Sequence, residues 1–115
     1  MSPLFDAGAF EALSQDLGPE DMQEALAEFF RDSRETAAAL QADVSDRKRA
    51  KRQAHSIKGS ASNFGFAELS RVARELELMA ETASPGPLAE GVAKLQSALE
   101  ATQAFAQANL VGVKA

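Results

Sequence analysis

The chain has 115 residues and a formal net charge of −5, from 17 acidic and 12 basic side chains. It contains no cysteine and a single histidine, which excludes a disulfide framework, thiol chemistry and a metal site built from cysteines or several histidines. The acidic balance argues against general nucleic-acid binding. No apolar run approaches the ~18 residues of a membrane span and no signal peptide is indicated, so we expect one cytoplasmic domain over residues 1–115 with no membrane contact.

Apolar spacing and helix-breaking residues predict an all-α chain. No segment shows the period-2 alternation of a strand. The predicted helices run, in order, from a cap at Asp6 to a break at Gly18, from Pro19 to about Asp43, from a cap at Ser45 or Asp46 to Phe64–Gly65, from about Phe66 to Thr82, and from about Leu88 to Leu110. The segment Ser84-Pro85-Gly86-Pro87 is predicted to be a loop.

The short connections between these helices predict the architecture. Short links favour antiparallel neighbours, so we expect an antiparallel up-down four-helix bundle with a short extra helix at its N-terminus. Apolar residues three or four apart mark the inward faces. The inward residues of the fourth and fifth helices are Leu69, Val72, Ala73, Leu76, Ala80, Val92, Leu95, Leu99 and Ala106. The short first helix carries the apolar residues Phe10, Leu13 and Leu17.

The third predicted helix carries the single histidine, His55. Its core-facing stripe is Ala50, Ala54, Ile57, Ala61 and Phe64. His55 is one residue from that stripe, about 100° round the helix, at the boundary with solvent. Six of the twelve basic residues lie nearby in sequence: Arg47, Lys48, Arg49, Lys51, Arg52 and Lys58. An isolated surface histidine on a solvated basic face is the ordinary structural interpretation.

Gly59 is harder to explain by structure alone. A glycine inside a helix costs roughly 1 kcal/mol relative to alanine, so it marks either a helix end or a close approach of another group. The apolar stripe continues to Phe64, and Gly65 is the better C-terminal cap. An imidazole, a nearby cation at Lys58 and a bare patch of backbone together indicate phosphoryl transfer to His55.

The motif around His55 resembles a known family. The pattern His55-x-x-Lys58-Gly59-x-Ala61-x-x-x-Gly65, preceded by Ala54 and followed by Leu69, resembles the signature of histidine-containing phosphotransfer (HPt) domains. The strings AHSIKG and FGF are most similar to the N-terminal phosphotransfer domain of CheA-type chemotaxis kinases. The resemblance implies a stoichiometric phosphocarrier of two-component phosphorelays rather than an enzyme.

The resemblance also implies partners and residue roles. The partners would be receiver domains of response regulators and a histidine kinase, and the chain would need no cofactor or metal, since magnesium belongs to the receiver. The oligomeric state is left open, with a monomer as the default for a capped bundle. His55 would be phosphorylated and Lys58 would offset the charge of the phosphoryl oxygens. The expected partner-binding residues are Lys51, Arg52, Gly59 and Ser62.

Glu77 is the candidate that orients His55. If the third and fourth helices are an antiparallel pair turning at Gly65, His55 lies ten residues before the turn and Glu77 twelve after it, at a similar level. The resemblance implies a Gln or Glu that hydrogen-bonds the ring here, a Glu in the CheA type. Arg74 stands where CheA-type domains often carry a second histidine. An ordinary solvated glutamate is the alternative for Glu77.

Two other functions compete with phosphotransfer. One is a non-catalytic helical adaptor that binds a signalling partner, for which His55 would be dispensable. The other is nucleic-acid binding by the basic run Arg47 to Arg52, which the acidic remainder and the lack of Trp and Tyr disfavour. A hydrolase is disfavoured because there is no second histidine. Whether the chain acts alone or as a domain of a CheA-like kinase is left open.

Overall fold

The computed structural model describes residues 5–82 and 84–110, so the ends of the expected 1–115 domain lie outside the described residues. This part of the chain contains five α-helices and no strand, which confirms the all-α prediction. The helices are α1 (Ala7–Leu17), α2 (Pro19–Ala42), α3 (Arg47–Asn63), α4 (Ala67–Thr82) and α5 (Pro85–Asn109). Within the same residues, no helix has a stretch long and apolar enough to cross a membrane.

Two helices begin at an aspartate that caps a free N–H group, and a third begins at a proline. Asp6 caps α1 by accepting a hydrogen bond from the backbone N–H of Ala9 at 3.2 Å. Asp46 rather than Ser45 caps α3, because its carboxylate accepts from the N–H of Arg49 at 3.0 Å. Pro19 occupies the first turn of α2, where its missing N–H removes no intrahelical hydrogen bond.

Gly65 makes the turn between α3 and α4 possible. Its φ of 81° lies in the left-handed region that side chains disfavour. The N–H of Gly65 donates to the Ser62 carbonyl at 3.0 Å and the N–H of Phe66 to the Ala61 carbonyl at 2.8 Å, the Schellman arrangement. The Gly65 carbonyl also accepts the N–H of Asp6 at 2.6 Å, and a Cβ on Gly65 would clash with the Asp6 carbonyl oxygen. The N-terminal segment is therefore fastened to this turn.

The prediction of a loop immediately before the last helix is wrong. The segment Ser84-Pro85-Gly86-Pro87 was expected to precede a helix starting near Leu88, but α5 starts at Pro85. The first intrahelical N–H bond runs from Leu88 to the Ser84 carbonyl at 3.1 Å. Both prolines fall in the first turn, where N–H groups lack intrahelical acceptors, so they begin the helix instead of breaking it.

The core is a single cluster of buried apolar residues from α2 to α5 and the α3–α4 turn. Of the helices in the described part of the chain, α1 alone contributes no fully buried residue. Leu17 of α1 is 37% exposed, and Val72, predicted to face inward on α4, is only partly buried. Helix α1 therefore covers the core from outside rather than forming part of it.

Two regions of this core differ in composition. All seven phenylalanines form one connected group with ring centroids 5.1 to 6.1 Å apart. We call this group the aromatic end: Phe5, Phe10, Phe29, Phe30, Phe64, Phe66 and Phe105. Further along α3 and α4, five buried alanines form what we call the alanine seam: Ala50, Ala54, Ala61, Ala73 and Ala80. Helices α3 and α4 make the most extensive contact of any helix pair in the described chain.

Candidate functional site

His55 lies on the solvent side of α3, with 66% of its side chain exposed. Its neighbours Ala54 and Ile57 are buried on the opposite side of the helix. The core therefore fixes the rotation of α3, and that rotation presents the imidazole to solvent.

Glu77 of α4 contacts His55 across the alanine seam. One carboxylate oxygen, Oε2, lies 2.7 Å from Nδ1 of His55. The other, Oε1, lies 3.1 Å from Nζ of Lys58. Only 16% of the Glu77 side chain is exposed, so this carboxylate is held between the imidazole and the ammonium group.

The contact with Glu77 defines the tautomer of His55. An ionised carboxylate only accepts hydrogen bonds, so Nδ1 must carry the proton that it donates to Oε2. The lone pair of a neutral imidazole then lies on Nε2. The geometry therefore leaves Nε2 as the nucleophilic nitrogen of the ring.

Glu77 stays ionised because of these two neighbours. Burial acts to raise the pKa of Glu77, but hydrogen bonds from Lys58 and His55 together with their charges outweigh it. The net result is a pKa below the usual value of a glutamate. The carboxylate is thus available as an acceptor at neutral pH.

A second glutamate of α4, Glu81, contacts two cations that lie one and two turns before His55, towards the N-terminus of α3. Lys51 forms an ion pair with the Glu81 carboxylate, and Nη1 of Arg47 lies 3.5 Å from the Glu81 backbone carbonyl. The hydrogen bond and the charge of Glu81 raise the pKa of Lys51. Sequence reasoning missed Glu81, although a signal existed: Glu77 and Glu81 are four residues apart, as are His55 and Lys51.

The contacts between α3 and α4 run in antiparallel order. Lys51 pairs with Glu81, His55 with Glu77, and the Ser70 hydroxyl donates to the Lys58 carbonyl at 3.1 Å. The predicted level of Glu77 beside His55 rests on this antiparallel register, which the structure shows. The hydrogen bond from Ser70 fixes that register next to the motif.

The other predicted partner-binding residues lie on the exposed side of α3 with His55. Arg52, Gly59 and Ser62 are all exposed. A Cβ on Gly59 would have no atom of the described residues within 4 Å, so no internal packing requires glycine there. Lys51 differs from these three because Glu81 holds its ammonium group.

The site is an open surface rather than a cavity. An apolar cavity of ≈ 510 Å³ lies between α1, α2 and the end of α5, lined by Phe10, Met22 and Leu26 among others, and none of the predicted site residues lines it. In the described residues, no three His, Cys, Asp or Glu side chains are grouped so that they could hold a metal ion. An exposed imidazole on a convex helix face suits a protein partner better than a small substrate.

Comparison with known proteins agrees with this geometry. No curated protein matches the chain, and no solved structure does either. The family model described as "Hpt domain" matches residues 24–105, a segment that contains His55, Lys58 and Glu77 and leaves out α1. Because this match covers well over half of the sequence, the chain belongs to the Hpt domain family, whose members are phosphocarriers in histidine phosphotransfer relays.

Proposed function

We propose that His55 accepts a phosphoryl group from the aspartyl phosphate of a receiver domain, or from a histidine kinase, and returns it to an aspartate of another receiver. The observation that carries the proposal is the 2.7 Å contact of Glu77 with Nδ1, which leaves Nε2 unprotonated on an exposed ring. In each transfer from a receiver, Nε2 forms a bond to phosphorus while the bond from phosphorus to the aspartate oxygen breaks. The aspartate leaves as a carboxylate.

Glu77 and Lys58 have separate roles in this mechanism. Phosphorylation of Nε2 places positive charge on the ring, and the Glu77 carboxylate stabilises that charge through the proton on Nδ1. Lys58, at 3.1 Å from Glu77, offsets the negative charge of the phosphoryl oxygens from the next turn of the helix. We propose that the magnesium ion needed for transfer is held by the receiver, and that this chain binds no cofactor of its own.

We further propose that α2 to α5 form an antiparallel up-down four-helix bundle, with α1 as the extra helix and the chain acting as a monomer. Supporting contacts join α2 with α5, α4 with α5, and α3 with both α2 and α4. We also propose that the site is of the CheA type, since a glutamate contacts the imidazole. Arg74 departs from that type because it replaces the second histidine.

A transfer assay tests the proposed function. A panel of receiver domains, charged with acetyl phosphate in the presence of magnesium, is mixed with the wild-type chain and with His55→Gln. We expect acid-labile, alkali-stable label on the wild type alone, and transfer slowed roughly 10- to 100-fold in Lys58→Ala. Label on His55→Gln would contradict the proposal. So would a wild-type chain that takes no label from any receiver of the panel or from a CheA-type kinase core, and the adaptor function would then be favoured.

A further inference from the structure

Five of the six cations of α3 lie on two edges of the helix, one on each side of His55. Relative to His55, the positions of Lys51, Lys58 and Arg47 lie about 40° to 80° round the helix on one side. That side faces α4, where Glu77 and Glu81 hold them. Arg47 and Lys51 are therefore engaged inside the molecule, whereas Lys58 contacts Glu77 and also serves the phosphoryl group in the proposed mechanism.

Lys48 and Arg52 lie on the other edge. Their positions are about 20° and 60° from His55 in the direction away from α4, with Gly59 about 40° round on the same edge. All three residues are exposed, and neither Lys48 nor Arg52 forms an ion pair within residues 5–82 and 84–110. We call Lys48, Arg52 and Gly59 the docking edge.

The docking edge is unfavourable for the isolated chain. Lys48 and Arg52 are like charges four residues apart, which repel each other on a helix surface. Lys48 also lies at the positive N-terminal end of α3, whose first turn contains no acidic residue. Gly59 weakens the same helix without any internal packing that requires it. Charge and backbone on this edge are therefore arranged for an external partner.

We propose that the docking edge binds the acidic rim of a receiver's phosphorylation pocket, and that Lys51 is a positioning residue for α4 rather than a contact to the receiver. This inference rests on the proposed function. The carboxylates that surround a phosphorylated aspartate complement Lys48 and Arg52, while Gly59 lets the receiver backbone come close beside His55. The receiver thus approaches over the side of α3 that faces away from α4.

Transfer kinetics against receiver concentration test the docking edge. The donor is an acetyl-phosphate-charged receiver, chosen from the panel because it labels the wild type. For Lys48→Glu with Arg52→Glu we expect at least a tenfold higher KM and a weaker salt dependence, with the rate at saturating receiver retained. Arg34→Glu with Lys94→Glu makes the same change of net charge on exposed positions of α2 and α5, and we expect less than a twofold change in KM.

A milder pair of variants separates the two edges. Arg52→Gln and Lys51→Gln each remove one charge from the same helix, and we expect the larger rise in KM for Arg52→Gln. Direct labelling of His55 by phosphoramidate, which needs no receiver, should continue in every variant and shows that the imidazole is intact. An equal rise in KM for the control pair, or for Lys51→Gln and Arg52→Gln, would overturn the inference.

The outcomes also separate this inference from the proposed function. If no receiver or kinase labels the wild type, the proposed function itself fails. If receivers label the wild type and His55→Gln is inert, but KM is unchanged in Lys48→Glu with Arg52→Glu, only the docking edge is wrong.

Discussion

The aromatic end and the alanine seam both involve α3 and α4, but one is packed with large side chains and the other with small ones. At the turn, Phe64 and Phe66 pack against rings from α2 and the N-terminal segment, and Phe5 of that segment also contacts Phe105 of α5. Around His55 and Glu77, the buried residues are mostly alanines that are at most 1% exposed. Large rings remove much apolar surface from water, whereas small side chains let helix backbones approach closely.

The stability of the fold and the geometry of the site therefore have different structural requirements. The hydrogen bond between Nδ1 of His55 and Glu77 spans two helices at 2.7 Å, and it needs the helices close together. The aromatic end needs only to hold their common turn. The two regions should therefore respond differently to substitution.

Phe66→Ala should remove the centre of the aromatic end. Phe66 is 0% exposed and its ring lies near four other rings, so we expect a loss of about 3–5 kcal/mol in the free energy of unfolding. Urea denaturation measures this loss, and the folded fraction should still carry phosphate on His55. The matched variant Phe10→Ala, at a partly buried ring, should lose less. A loss under about 1 kcal/mol for Phe66→Ala would show that the aromatic end does not dominate stability.

Ala54→Leu should damage the alanine seam instead. Ala54 is 0% exposed, and the added carbons must push α3 away from its neighbours, at a cost of about 1–3 kcal/mol. Because the helices separate, we expect slower transfer to His55 in addition to lower stability. The control Ala38→Leu places the same side chain on the exposed side of α2. Normal transfer by a destabilised Ala54→Leu protein would contradict the need for close approach.

The two motif glycines should respond with opposite signs. Gly65→Ala forces a side chain into the left-handed region, which costs about 1–2 kcal/mol, and creates a clash with Asp6 that adds to the loss. Gly59→Ala meets open space in a helix and should stabilise the chain by up to about 1 kcal/mol. Thermal unfolding of the two variants measures both signs. Destabilisation by Gly59→Ala would mean that its position has a structural constraint.

The smallest effect is a pH-dependent contribution of Glu77 to stability. Its folded-state pKa lies below the usual glutamate value, as does that of Glu68, which accepts hydrogen bonds from Arg71. A lowered pKa stabilises the folded state above the unfolded-state pKa, and this contribution is lost as the pH falls through the folded-state pKa. The differences in unfolding free energy between wild type and Glu77→Gln, and between wild type and Glu68→Gln, should therefore both shrink in acid.

Transfer at neutral pH separates the two carboxylates. We expect Glu77→Gln to change the transfer rate to His55, because it changes the acceptor of the Nδ1 proton. Glu68→Gln, at the start of α4, should leave the rate within twofold. Equal effects of the two substitutions on transfer would remove Glu77 from the site.

Local sequence signals predicted most of the fold. Apolar spacing and capping residues placed four helix starts within about one residue, because these features act within a single turn of the chain. The predicted start of α5 was wrong because proline is common both in loops and in the first turn of a helix, and the sequence did not distinguish the two for Pro85 and Pro87. Glu77 was predicted to contact His55 by counting residues from the turn at Gly65, together with the family resemblance.

The features that were not predicted from the sequence depend on contacts between distant segments. The pairing of Lys51 with Glu81 and of Lys58 with Glu77 depends on helix register and rotamers, which a single sequence does not specify. The close approach of Asp6 is a second reason why residue 65 must be glycine. This contact joins residues that are 59 positions apart in the chain, so the sequence did not predict it. The aromatic end likewise appears only when the helix ends are brought together.

NMR can identify which nitrogen of His55 is phosphorylated, and this directly tests the proposal that Nε2 is the nucleophile. Correlation of the imidazole protons and nitrogens with phosphorus in the phosphorylated chain distinguishes Nε2 from Nδ1 of His55. We expect phosphorus on Nε2 and a proton on Nδ1 that is donated to Glu77. Phosphorus on Nδ1, or a phosphorylated chain in which His55 carries no phosphorus, would contradict the proposal.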